Sequence, residues 1–236
     1  MAGTTNAQVS TLKRVFDETL SFGGADNSNI ATATGLFSNN TSLTFDILNN
    51  ILHYSDTQNV TNMCFGFAKC TSLTTIPNID TTNVTNMSYM FAGCTSLTSM
   101  PLLNTSKVTN MSNMFNTCSR LTTIPLFNTS IVTNMSNMFA SSTDLSSIPA
   151  LNVSNVTNFN NTLLNCANLR EIHITNIKAN FRISYSTRFT RDALNEIIGN
   201  LVDVGSSRTL TIGATNLAKL TADDIAVATA KGWTIA

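Results

Sequence analysis

Charge is what this 236-residue sequence has least of. Asp, Glu, Lys and Arg make up 11% of it, less than half of the ~25% usual in soluble proteins. The 13 basic and 13 acidic residues cancel. With no excess of positive charge to draw the chain to phosphate backbones or anionic lipid, neither nucleic acid nor membrane insertion is expected. Long apolar runs are missing too: none approaches the ~20 residues that a membrane-spanning helix needs. The opening, MAGTTNAQVSTLKRVF, lacks the basic region followed by an apolar core that marks an export signal. Histidine is reduced to His53 and His173, neither with a recurring nucleophile or carboxylate beside it, and the central region holds no glycine-rich phosphate loop. Enzymatic activity, a metal site and a cofactor are therefore not expected.

Thr, Ser and Asn stand where charge would be. From Asn59 to Asn158 the acidic residues are Asp80 and Asp144 and the basic ones Lys69, Lys107 and Arg120. Such low complexity would suggest disorder, were Leu, Ile, Met and Phe not placed at fixed intervals. Val60, Val84, Val108, Val132 and Val156 lie twenty-four apart, each followed by Thr-Asn and then by Met63, Met87, Met111, Met135 and Phe159. Phe67, Phe91, Phe115, Phe139 and Leu163 form the next column, and Cys70, Cys94, Cys118, Ser142 and Cys166 the one after. Leu73, Leu97, Leu121, Leu145 and Leu169 follow, then Ile76, Met100, Ile124, Ile148 and Ile172, and Pro77, Pro101, Pro125 and Pro149 close the phrase, with His173 in the fifth copy.

Neither helical nor strand periodicity accounts for a match of this length; a stacked coil does, with equivalent residues about 4.8 Å apart. Leu and Ile of LTTIP then point inward from a short strand, and Pro ends the strand because it has no donor for the ladder. Met and Phe fill the opposite side of the core. The asparagines Asn62, Asn86, Asn110, Asn134 and Asn158 are expected to form a ladder that bonds backbone groups of neighbouring turns. The Cys column reads as small, buried, reduced thiols. In-register Cα atoms at about 5 Å would permit disulfides, but Ser142 takes the same place in one copy.

The phrase NVTNMSYMFAGCTSLTSMP at residues 83–101 resembles the BspA-like leucine-rich repeats, of the variety VTNMSxMFxxCxxLxxxP found in bacterial surface proteins and phage virion proteins. The resemblance implies a curved right-handed solenoid with a parallel sheet on one face, used for binding and without enzymatic activity. The fold class expected is α/β: a leucine-rich-repeat solenoid with short parallel strands, an N-terminal helical cap and a C-terminal α/β cap.

Terminal caps are required because an open stack exposes apolar side chains and unpaired edges. Residues 1–24 read as a helical segment suited to docking on a virion, with Val9, Leu12, Val15, Phe16 and Leu20 at helical spacing and a stop at Gly23-Gly24. Residues 25–59 read as the N-terminal cap, with a helix through Leu43, Ile47, Leu48, Ile51 and Leu52. Residues 60–175 hold the five repeats, and residues 176–236 the C-terminal cap. There, Leu194, Ile197, Ile198 and Leu201 give a helical face, RTLTIG a strand, and Thr221 with Asp224 a capping box.

Two hydroxyl rows on the expected sheet face are the candidate binding surface. They are Thr74, Thr98, Thr122 and Ser146, and beside them Thr75, Ser99, Thr123 and Ser147, with Arg170 and Glu171 at the end. Such rows suit a repetitive polar ligand, a host cell-surface polysaccharide or a protein. With the resemblance, they lead to the expectation of a structural or adhesive component of a tailed bacteriophage virion, such as a tail fibre, spike or capsid-surface fibre. It would be assembled in the host cytoplasm, contact other virion proteins and be open to homo-oligomer formation. The alternative is a bacterial cell-surface adhesin.

Overall fold

The computed structural model describes residues 34–52, 57–205 and 207–236. The apolar stripe from Val9 to Leu20, the Gly23-Gly24 stop and His53 lie outside the described residues. The fold is mixed α/β with short parallel strands.

Each 24-residue copy begins as a run of tight turns. In the first, the N–H groups of Gly66, Ala68, Cys70 and Leu73 donate to the carbonyls of Met63, Phe65, Phe67 and Cys70. The N–H groups in between cannot close turns of their own and point along the stack instead. Met63, Phe65, Phe67 and Lys69 donate to the carbonyls of Asn86, Ser88, Met90 and Ala92 in the next copy, at 2.7–3.1 Å. The same four bonds recur from the second copy to the third, the third to the fourth and the fourth to the fifth. At the start of each copy the direction reverses: Thr85, Thr109, Thr133 and Thr157 donate to Thr61, Thr85, Thr109 and Thr133, and parallel bridges run through Asn62, Asn86, Asn110, Asn134 and Asn158. The copies are thus rungs, each bonded to its neighbours on two sides.

The stack starts before the first Val-Thr-Asn phrase. Gly35, Phe37 and Asn39 donate to Cys64, Gly66 and Ala68 in the same way, so residues 34–43, within the stretch read as cap, carry a shortened rung. Leu43 corresponds to Leu73, thirty positions on rather than twenty-four. Helix α1 (Phe45–Leu52) lies in the longer connection, with Ile47 and Leu48 buried.

The inward columns fill one continuous core. Val, Met, Phe, Cys and Leu of every rung are buried, and the rings of Phe37, Phe67, Phe91, Phe115 and Phe139 stack in a single file. Successive centroids lie 5.4–5.8 Å apart and the planes within 11° of parallel, inside the favourable range for aromatic pairs. A further buried column, Leu103, Phe127 and Leu151, follows the prolines.

The strand expected at LTTIP forms only in the last two rungs among the described copies: β1 (Ser147–Ile148) pairs in parallel with β2 (Glu171–Ile172). The reason is the proline column. Pro77, Pro101 and Pro125 have no N–H to offer the rung beneath, so the earlier copies are extended but short of ladder bonds. In the fifth copy His173 replaces proline, and its N–H donates to the Ile148 carbonyl at 3.0 Å.

Beyond the rungs, β3 (Phe181–Arg182), β4 (Arg208–Thr211) and β5 (Trp233–Ile235) form a parallel sheet in that order. Helix α2 (Arg191–Gly199) joins the first pair, and α3 (Ala214–Leu217) and α4 (Ala222–Ala230) the second. Thr190 caps α2, burying Leu194, Ile197 and Ile198 beneath it, while Thr221 and Asp224 form the capping box of α4. Gly232, at φ 78°, turns the chain into β5. Within this unit buried Trp233 donates its indole N–H to Val202 at 2.8 Å and Ile177 bridges to Leu201, and Ser186 Oγ ties the unit to the stack by donating to the Cys166 carbonyl at 2.7 Å.

Phe115 is fully buried with a ring on either side. Phe115→Ala is expected to destabilise the protein by about 3–5 kcal/mol, read from urea unfolding; an unchanged midpoint would contradict its place in the file.

Candidate binding surfaces

The two hydroxyl rows do lie together on the outside. Thr74, Thr98, Ser99, Thr122 and Thr123 are exposed and Thr75, Ser146 and Ser147 half-buried. Their hydrogen atoms, however, are partly committed. Thr98 Oγ1 donates to the Thr74 carbonyl at 3.2 Å and Ser146 Oγ to the Thr122 carbonyl at 3.1 Å, each one rung away. Ser147 Oγ donates to Thr123 Oγ1 at 3.4 Å. A hydroxyl whose proton is spent inward offers its oxygen lone pairs outward. Where these bonds form, the face is an array of acceptors and methyl groups.

At the end of the rows Arg170 and Glu171 are exposed. Glu171 sits 3.8 Å from His173 Nε2, while His173 Nδ1 lies 2.7 Å from Glu196 Oε1 on α2. The Glu196 hydrogen bond, with smaller help from the charges of Glu196 and Glu171, raises the His173 pKa above its ordinary 6.5.

The asparagine column does not tie rungs through its side chains. Oδ1 of Asn62, Asn86, Asn110, Asn134 and Asn158 accepts the N–H two residues on in its own rung, from Cys64, Ser88, Ser112, Ser136 and Asn160, at 3.0 Å. Only the backbone of these residues bridges rungs. An Asx turn wins because the acceptor reaches a donor in its own chain without crossing the inter-rung gap.

The side-chain ties between rungs are other residues. Thr57, Thr81, Thr105 and Thr129, all buried, donate Oγ1 to the carbonyls of Asp80, Asn104, Asn128 and Asn152 one rung on, at 2.8–2.9 Å. The signal was a Thr three residues before each Val, with Val153 in the fifth copy, hidden in a background rich in Thr. The Cys column does the same more weakly. Sγ of Cys70, Cys94, Cys118 and Cys166 donates at 3.0–3.1 Å to the carbonyls of Phe37, Phe67, Phe91 and Phe139, and Ser142 Oγ to Phe115 at 2.7 Å. All five cysteines are free. Burial pushes the Cys70 and Cys166 thiols up to about 12 and those of Cys94 and Cys118 further, which keeps the donating proton in place.

A concavity of about 470 Å³ runs along the turn side of the stack. Phe65 and Tyr89 line it, their rings stacked at 4.4 Å. Both were missed in the sequence, where the column five residues after each Val reads Phe65, Tyr89, Asn113, Asn137, Asn161. Among the described residues no group of three or more His, Cys, Asp or Glu is placed to hold a metal ion, and no helix is long and apolar enough to cross a membrane.

Stacked 24-residue rungs with an α/β unit at one end define a tandem-repeat protein. Residues 9–102 and 98–193 match, in tandem, the family described as "Mycoplasma protein of unknown function, DUF285". The chain belongs to this BspA-like repeat family. No curated protein and no solved structure matches it.

Two outcomes follow from these bonds. Thr105→Val removes the bond from the buried Thr105 hydroxyl to the Asn128 carbonyl and is expected to cost about 0.5–1.5 kcal/mol in urea unfolding, whereas Thr98→Ala with Thr122→Ala, both exposed, should cost under about 0.5 kcal/mol. Equal costs would contradict the division between tie and face. In an NMR titration the His173 ring should titrate above 6.5, and Glu196→Gln should lower that midpoint. Because the folded-state value is raised, the stabilisation is complete below pH 6.5 and lost as pH rises through the folded pKa.

Proposed function

We propose that the chain is a non-enzymatic binding protein, a leucine-rich-repeat solenoid whose stacked rungs present side chains in register to a repetitive ligand or a protein partner. The observation that carries this reading is the register itself. Rung-to-rung bonding fixes Thr98, Thr122 and Ser146 in one row and Ser99, Thr123 and Ser147 in the next. A ligand that offers donors at a similar repeat meets acceptors already held in place, with little conformational entropy left to lose on binding. Host-surface polysaccharide, with its many hydroxyl donors, is the ligand class that suits such a face.

The location we propose is a tailed bacteriophage virion, as part of a tail fibre, spike or capsid-surface fibre in contact with other virion proteins. The likeness of VTNMSxMFxxCxxLxxxP to the repeats of such proteins supports it. The second reading, a bacterial cell-surface adhesin, is favoured by the same likeness to repeats of bacterial surface proteins.

Mass spectrometry of purified phage particles separates the two. The chain is expected among the particle proteins, whereas its absence there together with recovery from the surface fraction of bacterial cells would assign it to the adhesins.

A further inference from the structure

The groove beside Phe65 and Tyr89 is built at a cost that the stack does not require. Each rung closes two turns whose third residue must adopt a left-handed backbone, and the column containing Phe65 is the first of these. Gly and Asn suit that conformation, and they occupy it at Gly35, Asn113, Asn137 and Asn161. In two adjacent rungs the position instead holds bulky aromatics, Phe65 at φ 58° and Tyr89 at φ 56°. Neither repays the strain by filling the core: Phe65 is 40% exposed and Tyr89 half-buried. Apart from stacking on each other the two rings gain no packing, and strain held at such an exposed position is characteristic of functional sites.

What surrounds the pair fits one kind of ligand. The neighbour of Phe65 on the preceding rung is Gly35, which has no side chain to lay over the ring, and among the described residues nothing lies within 4 Å of where a Cβ on it would sit. Across the groove, the stem of Lys69 lies over Gly93, where an added Cβ would come within 3.0 Å of Lys69 Cγ. Any larger residue at Gly93 would displace the lysine. Asn39, Asn116 and Thr117 complete the rim, Thr117 Oγ1 donating to Asn116 Oδ1 at 2.7 Å. The lining therefore offers flat aromatic surface, amides and the hydroxyls of Ser38, Tyr89 and Thr117, one cation and no carboxylate. It spans four successive rungs, about 14 Å along the stack at ~4.8 Å per step, and its volume lies in the range of small-ligand sites.

We infer that this groove binds an acidic saccharide: the apolar CH face of a sugar ring lies against the Phe65 and Tyr89 pair, its hydroxyls reach the Asn and Thr side chains, and its carboxylate pairs with Lys69. A neutral sugar would leave the ammonium unanswered, and a peptide cation would meet Lys69 with like charge. The inference rests on the proposed binding function only in taking this surface to engage ligand; it needs nothing from the hydroxyl rows.

The test is isothermal titration of the full chain with a panel of oligosaccharides bearing hexuronic or sialic acid, each paired with its carboxyl-reduced counterpart. At least one acidic member should bind, with at least tenfold preference over its reduced form, and Lys69→Gln should abolish that preference. Tyr89→Asn should weaken binding at least tenfold while leaving the melting temperature equal or higher, because Asn is the residue of this column in later rungs. Binding by no acidic member would overturn the inference, as would a Tyr89→Asn variant that binds normally. Loss of binding on Thr98→Ala with Thr122→Ala but not on Tyr89→Asn would place the ligand on the hydroxyl rows, refuting this site and leaving the proposed function standing. A large fall in melting temperature for Tyr89→Asn would make the aromatic pair structural and likewise refute it.

Discussion

Everything in the stack depends on how alternate N–H groups are spent. Along Met63–Lys69 every second N–H closes a turn in its own rung, and those between donate to the next rung twenty-three residues on. A rung on its own would leave four donors and their acceptors unpaired, a loss that water only partly offsets once the turns are packed over a core. Neighbouring copies remove that penalty for each other, so stability grows with each addition and the two ends are the weak points. The shortened rung at residues 34–43 answers the first end with three donors of the same kind. At the other end the aromatic file ceases at Phe139, because Leu163 takes its place in the fifth copy, and a parallel sheet takes over from the turns. A leucine has no flat ring with which to pass the stacking on, which makes that replacement part of the termination.

The ladder also explains the chemistry of the columns. A position that recurs at one rung spacing must tolerate a copy of itself on either side. Flat rings do so by stacking, as the Phe file does. The Cys column needs a group small enough for a fully buried site yet able to satisfy a carbonyl of the rung before. A thiol meets both demands with a weak donor, and Ser142 shows that a hydroxyl meets them with a shorter bond. Charge repeated at this spacing would repel itself along the whole stack. Composition and architecture are in this sense one fact: Thr, Ser and Asn replace charge because they can be repeated in register and still find partners.

The period, the inward columns and the α/β character of the C-terminal unit were legible because each is written as residue type at fixed intervals. What was not legible depended on where protons and carbonyls point. The asparagine column was recognisable as structural, but the choice between a turn in its own rung and a bond to the next is decided by ångström-scale geometry that residue identity does not encode. The rung at residues 34–43 escaped because α1 lengthens the spacing from twenty-four to thirty and breaks the count. The shortage of strand follows from a detail visible beforehand, the proline column, whose effect becomes plain only where His173 restores the missing N–H. Of the candidate site, the hydroxyl rows were legible as residues but not as acceptors. Phe65 and Tyr89 were visible only as departures from a column whose backbone requirement the sequence does not state.

That last distinction bears on how such a protein can evolve recognition without losing its fold. Core columns are fixed by self-stacking, and the buried Thr and Cys ties by the carbonyls they satisfy, so a change there disturbs two interfaces at once. The left-handed positions are different, since their backbone bonds are made whatever the side chain is. Phe65, Tyr89, Asn113, Asn137 and Asn161 all keep that conformation, and the Phe65, Tyr89, Asn113 and Asn137 N–H groups keep the same inter-rung bond. Replacing Asn with an aromatic there costs local strain of order 1–2 kcal/mol and leaves the ladder untouched. Variation along this column therefore spares both the core and the ladder, and a stack of near-identical rungs can carry a distinct surface at one end without any rung having to change its path.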